Sequence, residues 1–536
     1  MAVYLPDDIF PIIFGHLADQ RDSHTLFNCS ISSKRLTVPA LTALYRYQYA
    51  RPVREWYPDD NQGRDAQRIS GLWRSLALSA VDKTFFPYCR YIHSLDLRDL
   101  RELLDDFNAK RTRQPLFRDF FKGDMTQFRV WIKPGERLNS DATVEAIGEA
   151  ISLKAPFIED LMTAGQVSAD ALRRWVLRMP NLQYLCLFNG KAIGESDLSP
   201  LLRSHCPKFR SLMMYSWFAD DSDSRFGTFI SSLQPQSLQS LEVMSEAGIK
   251  IKTCKALALH NQSLTKLHIA LRPDSFQSLS EIGPCRALES LHLEDLEGTI
   301  DLESAQSQSF DDLLAWMRQC KNLRDLELKN FISGAAIVTP LLSDEDVYLE
   351  SLEVDSYTMA ERRNFHLALM NQPNLKYLCL RGDGDDVVRD DIDAFLHSLV
   401  CLKDLRELNL TGVSDYFTDP HISHLATQLP KLEKLNTSGY GVTDRVLPSI
   451  VQSKSLREVT FQAITSFTLG GLLDFVNDLG PDHNGLVFET INADPDSRLS
   501  EDEVRLVEES ISGRVGGTFR YDARDPDPSD FEGDSD

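Results

Sequence analysis

The chain has 536 residues, of which 42% are hydrophobic and 26% charged, a composition typical of a folded protein. Its formal net charge of −23 argues against nucleic acid as a partner, because phosphate binding needs a basic surface. No apolar stretch approaches the roughly 20 residues that span a membrane, and the first ten residues lack the pattern of a signal peptide. The nine cysteines form no CxxC pair, so we expect reduced thiols, no zinc site, and a cytoplasmic or nuclear location.

A small helical unit is predicted over residues 4–46. Leu5-Pro6 followed by two acids favours a helix start, because proline suits the first turn and acids stabilise the positive end of the helix dipole. The apolar residues that follow recur at helical spacing and predict one apolar face: Leu5, Ile9, Ile12, Ile13 and Leu17. Residues 23–33 and 36–45 predict two further helices. So small a unit buries little surface, and we expect a partner or the next domain to complete it.

These residues resemble an F-box. The likeness is carried by Leu5-Pro6, Ile9, Ile13-Phe14, Leu17, Leu26, the run from Ser30 to Arg35 and the closing residues 43–46. Leu36 stands where the family often has tryptophan, which is a departure from the pattern. The resemblance implies that Leu5, Pro6, Ile9, Ile13 and Leu17 contact a Skp-type adaptor, which joins a cullin scaffold. An F-box followed by the repeats described below looks most like the fungal members of that family.

Residues 51–157 are predicted to be a linker followed by irregular repeats. Proline, glycine and acidic residues predict a loop over 51–71, and residues 72–81 predict a helix. Ile92-Leu95-Leu97 predicts an outlying first strand, and 98–157 an irregular double repeat. Within 109–137, eight basic residues accompany five aromatic ones: Phe117, Phe120, Phe121, Phe128 and Trp131. Basic and aromatic residues together can bind nucleic acid, but we expect these aromatic side chains to pack inward.

From residue 158 onwards a spaced apolar motif recurs: one apolar residue, two variable residues, a second apolar residue, one variable residue and a third. The clearest copies are Leu182-Leu185-Leu187, Leu264-Leu267-Ile269, Leu288-Leu291-Leu293, Leu323-Leu326-Leu328, Leu375-Leu378-Leu380 and Leu405-Leu408-Leu410. Looser copies begin at Ile158, Phe209, Leu238, Leu349, Leu432 and Leu456. The mean period of about 27 residues is that of a leucine-rich repeat. Each repeat predicts a parallel strand, and the helical patterns between them predict return helices.

The predicted fold class is therefore α/β. Residues 158–480 should form a leucine-rich-repeat solenoid, a horseshoe with strands on its concave face and helices on its convex face, preceded by a small all-α F-box at residues 1–50. Three cysteines stand three residues before a strand motif and should be buried: Cys206, Cys285 and Cys320. Residues 481–519 predict a C-terminal cap, and 520–536 a disordered acidic tail.

The variable residues between the leucines predict a binding surface. Because side chains alternate along a strand, these residues should point to the concave face. They predict an aromatic and methionine-rich zone and an acidic zone that bind a target protein: Tyr184, Phe188, Met213, Tyr215 and Trp217 in the first, Glu327, Glu353 and Asp355 in the second. The alternative is that loops of this chain cover the aromatic residues. His268 and His292 should form a solvated pair, because two histidines are too few for a metal site.

No motif of a catalytic or cofactor site is present, whether P-loop, GxSxG, HExxH or G-x-G-x-x-G, so we expect neither catalysis nor a bound cofactor or metal. The F-box resemblance implies a substrate-recognition subunit of an SCF-type ubiquitin ligase, which prepares a target protein for proteasomal degradation. The acidic zone predicts a basic segment in that target. The alternative function is a non-catalytic repeat scaffold that binds protein partners outside any ligase.

Overall fold

A computed structural model describes residues 6–20, 22–46, 62–109, 115–134, 137–195, 197–301, 307–332, 334–359, 362–382 and 389–524. The chain divides into two compact units, Met1–Leu264 (unit 1) and Thr265–Asp536 (unit 2). Three predictions fall wholly or partly outside the described residues: Leu5 as an adaptor contact, the loop at 51–61 and the acidic tail beyond residue 524.

Unit 1 begins with three helices, α1 (Ile9–Asp19), α2 (Ser23–Ser32) and α3 (Lys34–Arg46). Their buried core includes Phe10, Phe14, Ala18, Leu26 and Ala40. The buried stripe of α1 is therefore Phe10-Phe14-Ala18 at steps of four residues, which corrects the predicted apolar face of Ile9, Ile12 and Ile13. The two phenylalanine rings stack, with centroids 6.0 Å apart. The larger aromatic side chains fill the small core, and Ile12 and Ile13 face outward.

The rest of unit 1 alternates strands and helices. Its helices are α4 (Gln62–Ala80), α5 (Arg98–Ala109), α6 (Pro115–Phe120), α7 (Ser140–Ser152), α8 (Ala169–Arg178), α9 (Lys191–Glu195), α10 (Leu198–His205), α11 (Ser222–Ser232) and α12 (Ile251–Leu257). Its strands are β1 (Ser94–Asp96), β2 (Trp131–Lys133), β3 (Arg137–Leu138), β4 (Asp160–Met162), β5 (Tyr184–Asn189), β6 (Ser211–Ser216) and β7 (Ser240–Val243). Short 3-10 helices lie at Tyr88–Arg90, Gly123–Phe128 and Ala258–His260. The sheet order is β1-β4-β5-β6-β7, all parallel, and β2-β3 is a separate antiparallel pair.

Two predictions for the first part of unit 1 are wrong. Because β1 pairs directly with β4, with Ser94 opposite Asp160, the segment 98–157 adds no strand to the parallel sheet within its described residues. It is one enlarged repeat rather than a double one. The predicted loop over 51–71 is also wrong from residue 62 onwards, where α4 begins. The inward packing of the aromatic segment is confirmed, because four of its five rings are buried: Phe117, Phe120, Phe121 and Phe128.

Unit 2 continues the same alternation. Its helices are α13 (Ser307–Gln319), α14 (Gly334–Leu342), α15 (Arg363–Leu369), α16 (Arg389–Leu399), α17 (Asp419–Gln428), α18 (Leu447–Gln452), α19 (Leu469–Asp478) and α20 (Glu501–Val515). Its strands are β8 (Lys266–Leu271), β9 (Ser290–Asp295), β10 (Asp325–Lys329), β11 (Ser351–Val354), β12 (Tyr377–Leu380), β13 (Glu407–Leu410), β14 (Lys434–Thr437), β15 (Tyr440–Thr443), β16 (Glu458–Ser466), β17 (Val487–Ala493) and β18 (Thr518–Ala523). Short 3-10 helices lie at Pro273–Ile282, Asp444–Val446, Pro481–His483 and Pro495–Ser497. All strand pairings in unit 2 are parallel. The strands pair in chain order with one exception, because β14 and β15 both pair with β16.

The middle apolar residue of each motif forms a ladder across the sheet. In unit 2 it runs in register through Leu267, Leu291, Leu326, Leu352, Leu378, Leu408, Leu435, Val459, Phe488 and Phe519. In unit 1 it runs through Leu95, Leu161, Leu185, Leu212 and Leu241. All of these side chains are buried. This confirms the predicted fold class: the chain is an α/β leucine-rich-repeat solenoid in which parallel strands alternate with helices.

The repeats extend further than predicted at the C-terminal end. Phe488 and Phe519 hold the middle motif position, but the first position is glycine in both repeats, Gly485 and Gly516, each with a positive φ. The predicted cap at 481–519 therefore contains a full repeat, and the predicted disorder from residue 520 is wrong for the part of β18 that runs to Ala523. The apolar pattern faded in the sequence because glycine took the place of leucine.

The cysteines are buried where the motif predicted. Burial raises the pKa of Cys206, Cys285 and Cys320 to about 12. Two of these thiols donate to carbonyls of the preceding repeat, Cys206 to the Met179 oxygen at 3.3 Å and Cys320 to the Cys285 oxygen at 3.6 Å. All nine cysteines are free thiols. Among the described residues, no helix has both the length and the apolar character needed to cross a membrane.

Candidate functional site

The N-terminal three-helix unit exposes large apolar side chains. Residues of this kind are usually buried, yet five are exposed within residues 6–46: Ile12, Ile13, Phe27, Ile31 and Val38. Ile31 shows 68% of its surface to solvent, and Phe27 lies one turn before it on the same face of α2. Exposed apolar side chains on a small folded unit favour a binding site for another protein.

The predicted adaptor contacts lie only partly on this surface. Pro6 and Ile13 are exposed and Ile9 is half-buried, whereas Leu17 packs against the core of the unit. Four of the exposed apolar residues were not among the predicted adaptor contacts: Ile12, Phe27, Ile31 and Val38. The sequence predicted a single apolar face for α1, but this helix is apolar on both sides, with Phe10 and Phe14 inside and Ile12 and Ile13 outside.

The three-helix unit is fixed to the first repeat through the end of α3. The ring of Tyr45 stacks on Tyr88, with centroids 4.8 Å apart, and its hydroxyl lies 3.3 Å from the Ser75 hydroxyl on α4. The backbone NH of His93 donates to the Arg46 carbonyl at 2.7 Å. These contacts set the orientation of the exposed apolar side chains relative to the repeats of unit 1.

A second candidate surface is the open sheet face, defined as the strand side chains that alternate with the buried leucines. In unit 1 it carries four of the predicted aromatic and methionine residues, Tyr184, Phe188, Met213 and Tyr215. The Tyr184 hydroxyl lies 3.1 Å from Sδ of Met213, and the rings of Phe188 and Tyr215 lie 5.8 Å apart. Phe188 is 49% exposed, and the other three are half-buried. This surface is accessible at Phe188 and partly covered elsewhere.

Trp217 was predicted to join this surface and does not, because it is only 2% exposed. Its ring packs against Phe226 of α11, with centroids 5.8 Å apart. The backbone at α9 covers the ring so closely that a Cβ at Gly190 or Gly194 would lie 2.6 or 2.5 Å from it. Trp217 is therefore a core residue of unit 1, beyond the end of the strand, where alternation no longer decides which way a side chain points.

The sequence prediction also missed Arg98, which crosses the open sheet face of unit 1. Its guanidinium donates two hydrogen bonds to the buried carboxylate of Asp96, at 2.9 and 2.7 Å. The same group lies 3.3 Å from Sδ of Met162, and the Tyr215 side chain helps to raise the pKa of Arg98. The charge of Arg98 is thus paired with a carboxylate of the chain itself.

In unit 2, the predicted acidic zone is a network of ion pairs. His292 lies between two carboxylates, with Nε2 2.7 Å from Asp325 and Nδ1 2.9 Å from Glu327. Burial lowers the pKa of His292, but the hydrogen bonds to Asp325 and Glu327 outweigh that effect and raise it to about 9. The rings of His268 and His292 lie 5.2 Å apart. The predicted solvated pair is wrong for His292, whose ring nitrogens both face carboxylates.

The remaining two predicted acids of unit 2 share one partner. The Arg381 guanidinium lies 2.8 Å from Glu353 and 3.3 Å from Asp355, and the Tyr377 hydroxyl donates to Glu353 at 3.0 Å. Burial nevertheless raises the pKa of both carboxyl groups above its usual range. The structure thus brings Glu327, Glu353 and Asp355 onto neighbouring strands, as predicted, but each already has a basic partner within unit 2.

No protein-family model matches the chain, and no curated protein matches its sequence significantly. Among solved structures, the chain is similar to the Rad7 and Elc1 complex in yeast, with 14% identity and a TM-score of 0.39 over 75% of this chain and 89% of that chain. It is also similar to an internalin (inlF) from Listeria monocytogenes, with 14% identity and a TM-score of 0.33 over 61% of this chain and 78% of that chain. Both TM-scores lie below 0.5, so the fold assignment is based on the strand order, the register and the buried ladder of the chain itself.

Proposed function

We propose that the chain is the substrate-recognition subunit of an SCF-type ubiquitin ligase. The observation that supports this most is the set of exposed apolar side chains on the three-helix unit, in a segment whose sequence resembles an F-box. In this proposal the unit binds a Skp-type adaptor, and the adaptor links the chain to a cullin scaffold. The open sheet faces of the repeats then hold a target protein.

The proposed role needs no bond chemistry from the chain itself. A subunit that binds the adaptor through one surface and the target through another raises the local concentration of target lysines near the ubiquitin carrier, as a linked pair of binding sites does. The two functions are carried by different residues, because the exposed side chains of α1 and α2 lie outside the parallel sheet. Adaptor binding and target binding can therefore be tested with separate variants.

The adaptor contact is tested by placing charge on α1. We expect the double substitution Ile12→Asp/Ile13→Asp to abolish capture of a purified Skp-type adaptor, because two carboxylates would then face an apolar interface and lose hydration on binding. Both side chains point to solvent, so the fold should tolerate the change. Capture is measured by pull-down of the adaptor on the immobilised chain.

Leu153→Asp supplies the matched control, since Leu153 is also an exposed apolar side chain of unit 1 but lies on the enlarged repeat, outside the three-helix unit. It should leave capture unchanged. Equal recovery of the adaptor by the wild-type chain and the double variant would contradict the proposal. A wild-type chain that recovers neither adaptor nor cullin would favour the alternative function, a repeat scaffold that binds protein partners outside any ligase.

The open sheet face of unit 2 is tested by removing charge without changing shape. We expect the triple substitution Glu327→Gln/Glu353→Gln/Asp355→Asn to weaken capture of a basic target roughly tenfold, because a target cation would lose the carboxylates that replace its hydration. Targets are collected on the immobilised chain from cells in which the proteasome is blocked, and are identified by mass spectrometry. Identical sets of captured proteins for the wild-type chain and the triple variant would place target binding elsewhere.

A further inference from the structure

One carboxylate on the open sheet face of unit 1, that of Asp160, has no hydrogen-bond donor among the described residues. Asp160 is half-buried at the start of β4, opposite Ser94 on one side and Tyr184 on the other. His93 and Arg210 act on it only through space, and His93 is itself hydrogen-bonded to Glu159 at 2.9 Å. Burial, together with the charge of Glu159, raises the pKa of Asp160, so in the free chain its negative charge is poorly compensated.

The surroundings of Asp160 are aromatic and sulfur-bearing. Its strand neighbour Tyr184 points along the sheet to Met213, and Met162 follows two residues later on the same face of β4. Because neighbouring strands lie about 4.8 Å apart, the carboxylate is within one side-chain length of these groups. A cation that binds here would have its charged end at Asp160 and its apolar stem over Tyr184 and Met162, as lysine and arginine side chains allow.

Arg98, the cation that lies over the aromatic side chains of this face, is already paired with a carboxylate of the chain. Both oxygens of Asp96 accept hydrogen bonds from it. The Arg98 guanidinium also lies beside Sδ of Met162. An incoming carboxylate would have to displace the buried carboxylate of Asp96. Charge complementarity therefore favours a basic ligand.

We propose that the open sheet face of unit 1 binds an extended protein segment in which a lysine or arginine lies beside bulky apolar residues. The basic residue pairs with Asp160, and the apolar residues contact Phe188 and Tyr215. The inference rests on the proposed target-binding function and names the chemistry of the segment that a target presents to unit 1. It does not depend on the adaptor, which binds outside this sheet.

The test selects ligands without any assumption about the identity of the target. Random dodecapeptides displayed on phage are selected on the immobilised full-length chain, and synthetic copies of the enriched peptides are titrated by fluorescence polarisation. We expect enrichment of lysine or arginine next to phenylalanine, leucine or methionine. Asp160→Asn should weaken binding of these peptides about tenfold or more, because the charged hydrogen bond is lost while the shape is kept. Phe188→Ala should weaken it by a similar factor through lost apolar contact.

Two further variants separate the site from general charge effects. Asp119→Asn removes an exposed carboxylate of α6, away from the parallel sheet, and should leave the affinity unchanged. Arg210→Ala removes a cation that acts on Asp160 and should leave peptide binding equal or tighter. The thermal midpoint of Asp160→Asn should not fall, since a neutral side chain is easier to bury.

Three results would overturn the proposal: enrichment of acidic peptides, the absence of any enriched sequence, or equal affinity of the enriched peptides for the wild-type chain and Asp160→Asn. Adaptor capture by the same chain would still test the ligase function on its own.

Discussion

Replacing Leu326 by alanine should lower the free energy of unfolding by about 2–5 kcal/mol, the range for a fully buried leucine. Leu326 occupies the middle of the unit 2 ladder, between Leu291 and Leu352, and all three side chains are fully buried. The cavity would open between two repeats that are held in place by the flanking strands, so it cannot collapse freely. Since whole domains are stable by only about 5–15 kcal/mol, the loss is a large fraction of the total.

The measurement is urea unfolding followed by circular dichroism, with hydrogen exchange to locate the loss. Because each repeat is stabilised by its neighbours, the amides of β9 and β11 should lose protection together with those of β10. Leu506→Ala is the matched control: the same chemical change at an exposed position of α20 should alter the free energy of unfolding by no more than about 0.5 kcal/mol. If both substitutions lowered the free energy of unfolding equally, the buried position of Leu326 in the ladder would be contradicted.

The ladder is also the part of the fold that the sequence predicted best. A leucine every 24–35 residues, with fixed spacing inside each motif, is a strong signal because the same side chain must fill the same position in every repeat. The signal failed where another residue type could serve. In two repeats a glycine with a positive φ, Gly485 or Gly516, stands where the first leucine is expected. In the segment 98–157, helices and a hairpin lie between β1 and β4, and none of the described residues there forms a strand of the parallel sheet. Such insertions carry no period, so periodicity cannot find them.

The candidate sites were predicted less completely, for reasons that particular residues show. Alternation along a strand correctly placed Phe188 and Glu353, because side-chain direction within a strand depends only on position. It failed at Trp217, one residue past the end of β6, where the close approach of Gly190 turns the ring into the core. The pairing of Arg381 with Glu353 and Asp355 depends on distances between strands that no single motif contains. The same holds for Asp160, on which Arg210 and His93 act only through space. Which charges are paired with one another could therefore be recognised only from the structure.

A buried histidine makes the stability of unit 2 sensitive to acid. His366 is fully buried among the rings of Tyr357, Phe365 and Phe395, whose centroids lie 4.9–6.2 Å away. Its Nε2 is hydrogen-bonded to the Tyr357 hydroxyl, and its Nδ1 has no hydrogen-bond partner among the described residues. Burial lowers the pKa of His366 to about 4. In the unfolded chain the same imidazole has a pKa near 6.5, so the unfolded state takes up a proton at a higher pH than the folded state does.

As the pH is lowered from 7 to 4.5, we therefore expect protonation of His366 in the unfolded state to reduce the stability of unit 2 by about 2 kcal/mol. The free energy of unfolding decreases as the pH decreases wherever the unfolded state binds more protons than the folded state. His366→Gln, which has no group that titrates in this range, should lose that part of the pH dependence. The quantity to measure is the difference between wild type and variant in the free energy of unfolding at the two pH values, since this removes the contribution of the many carboxylates common to both.

His292 is the internal comparison. With a pKa raised to about 9, its stabilising effect is complete below pH 6.5 and is lost as the pH rises through 9, so His292→Gln should change the alkaline side of the profile. A His366→Gln profile parallel to that of the wild type from pH 7 to 4.5 would show that the imidazole gains a proton without loss of packing, and that the aromatic cluster around it is open to water.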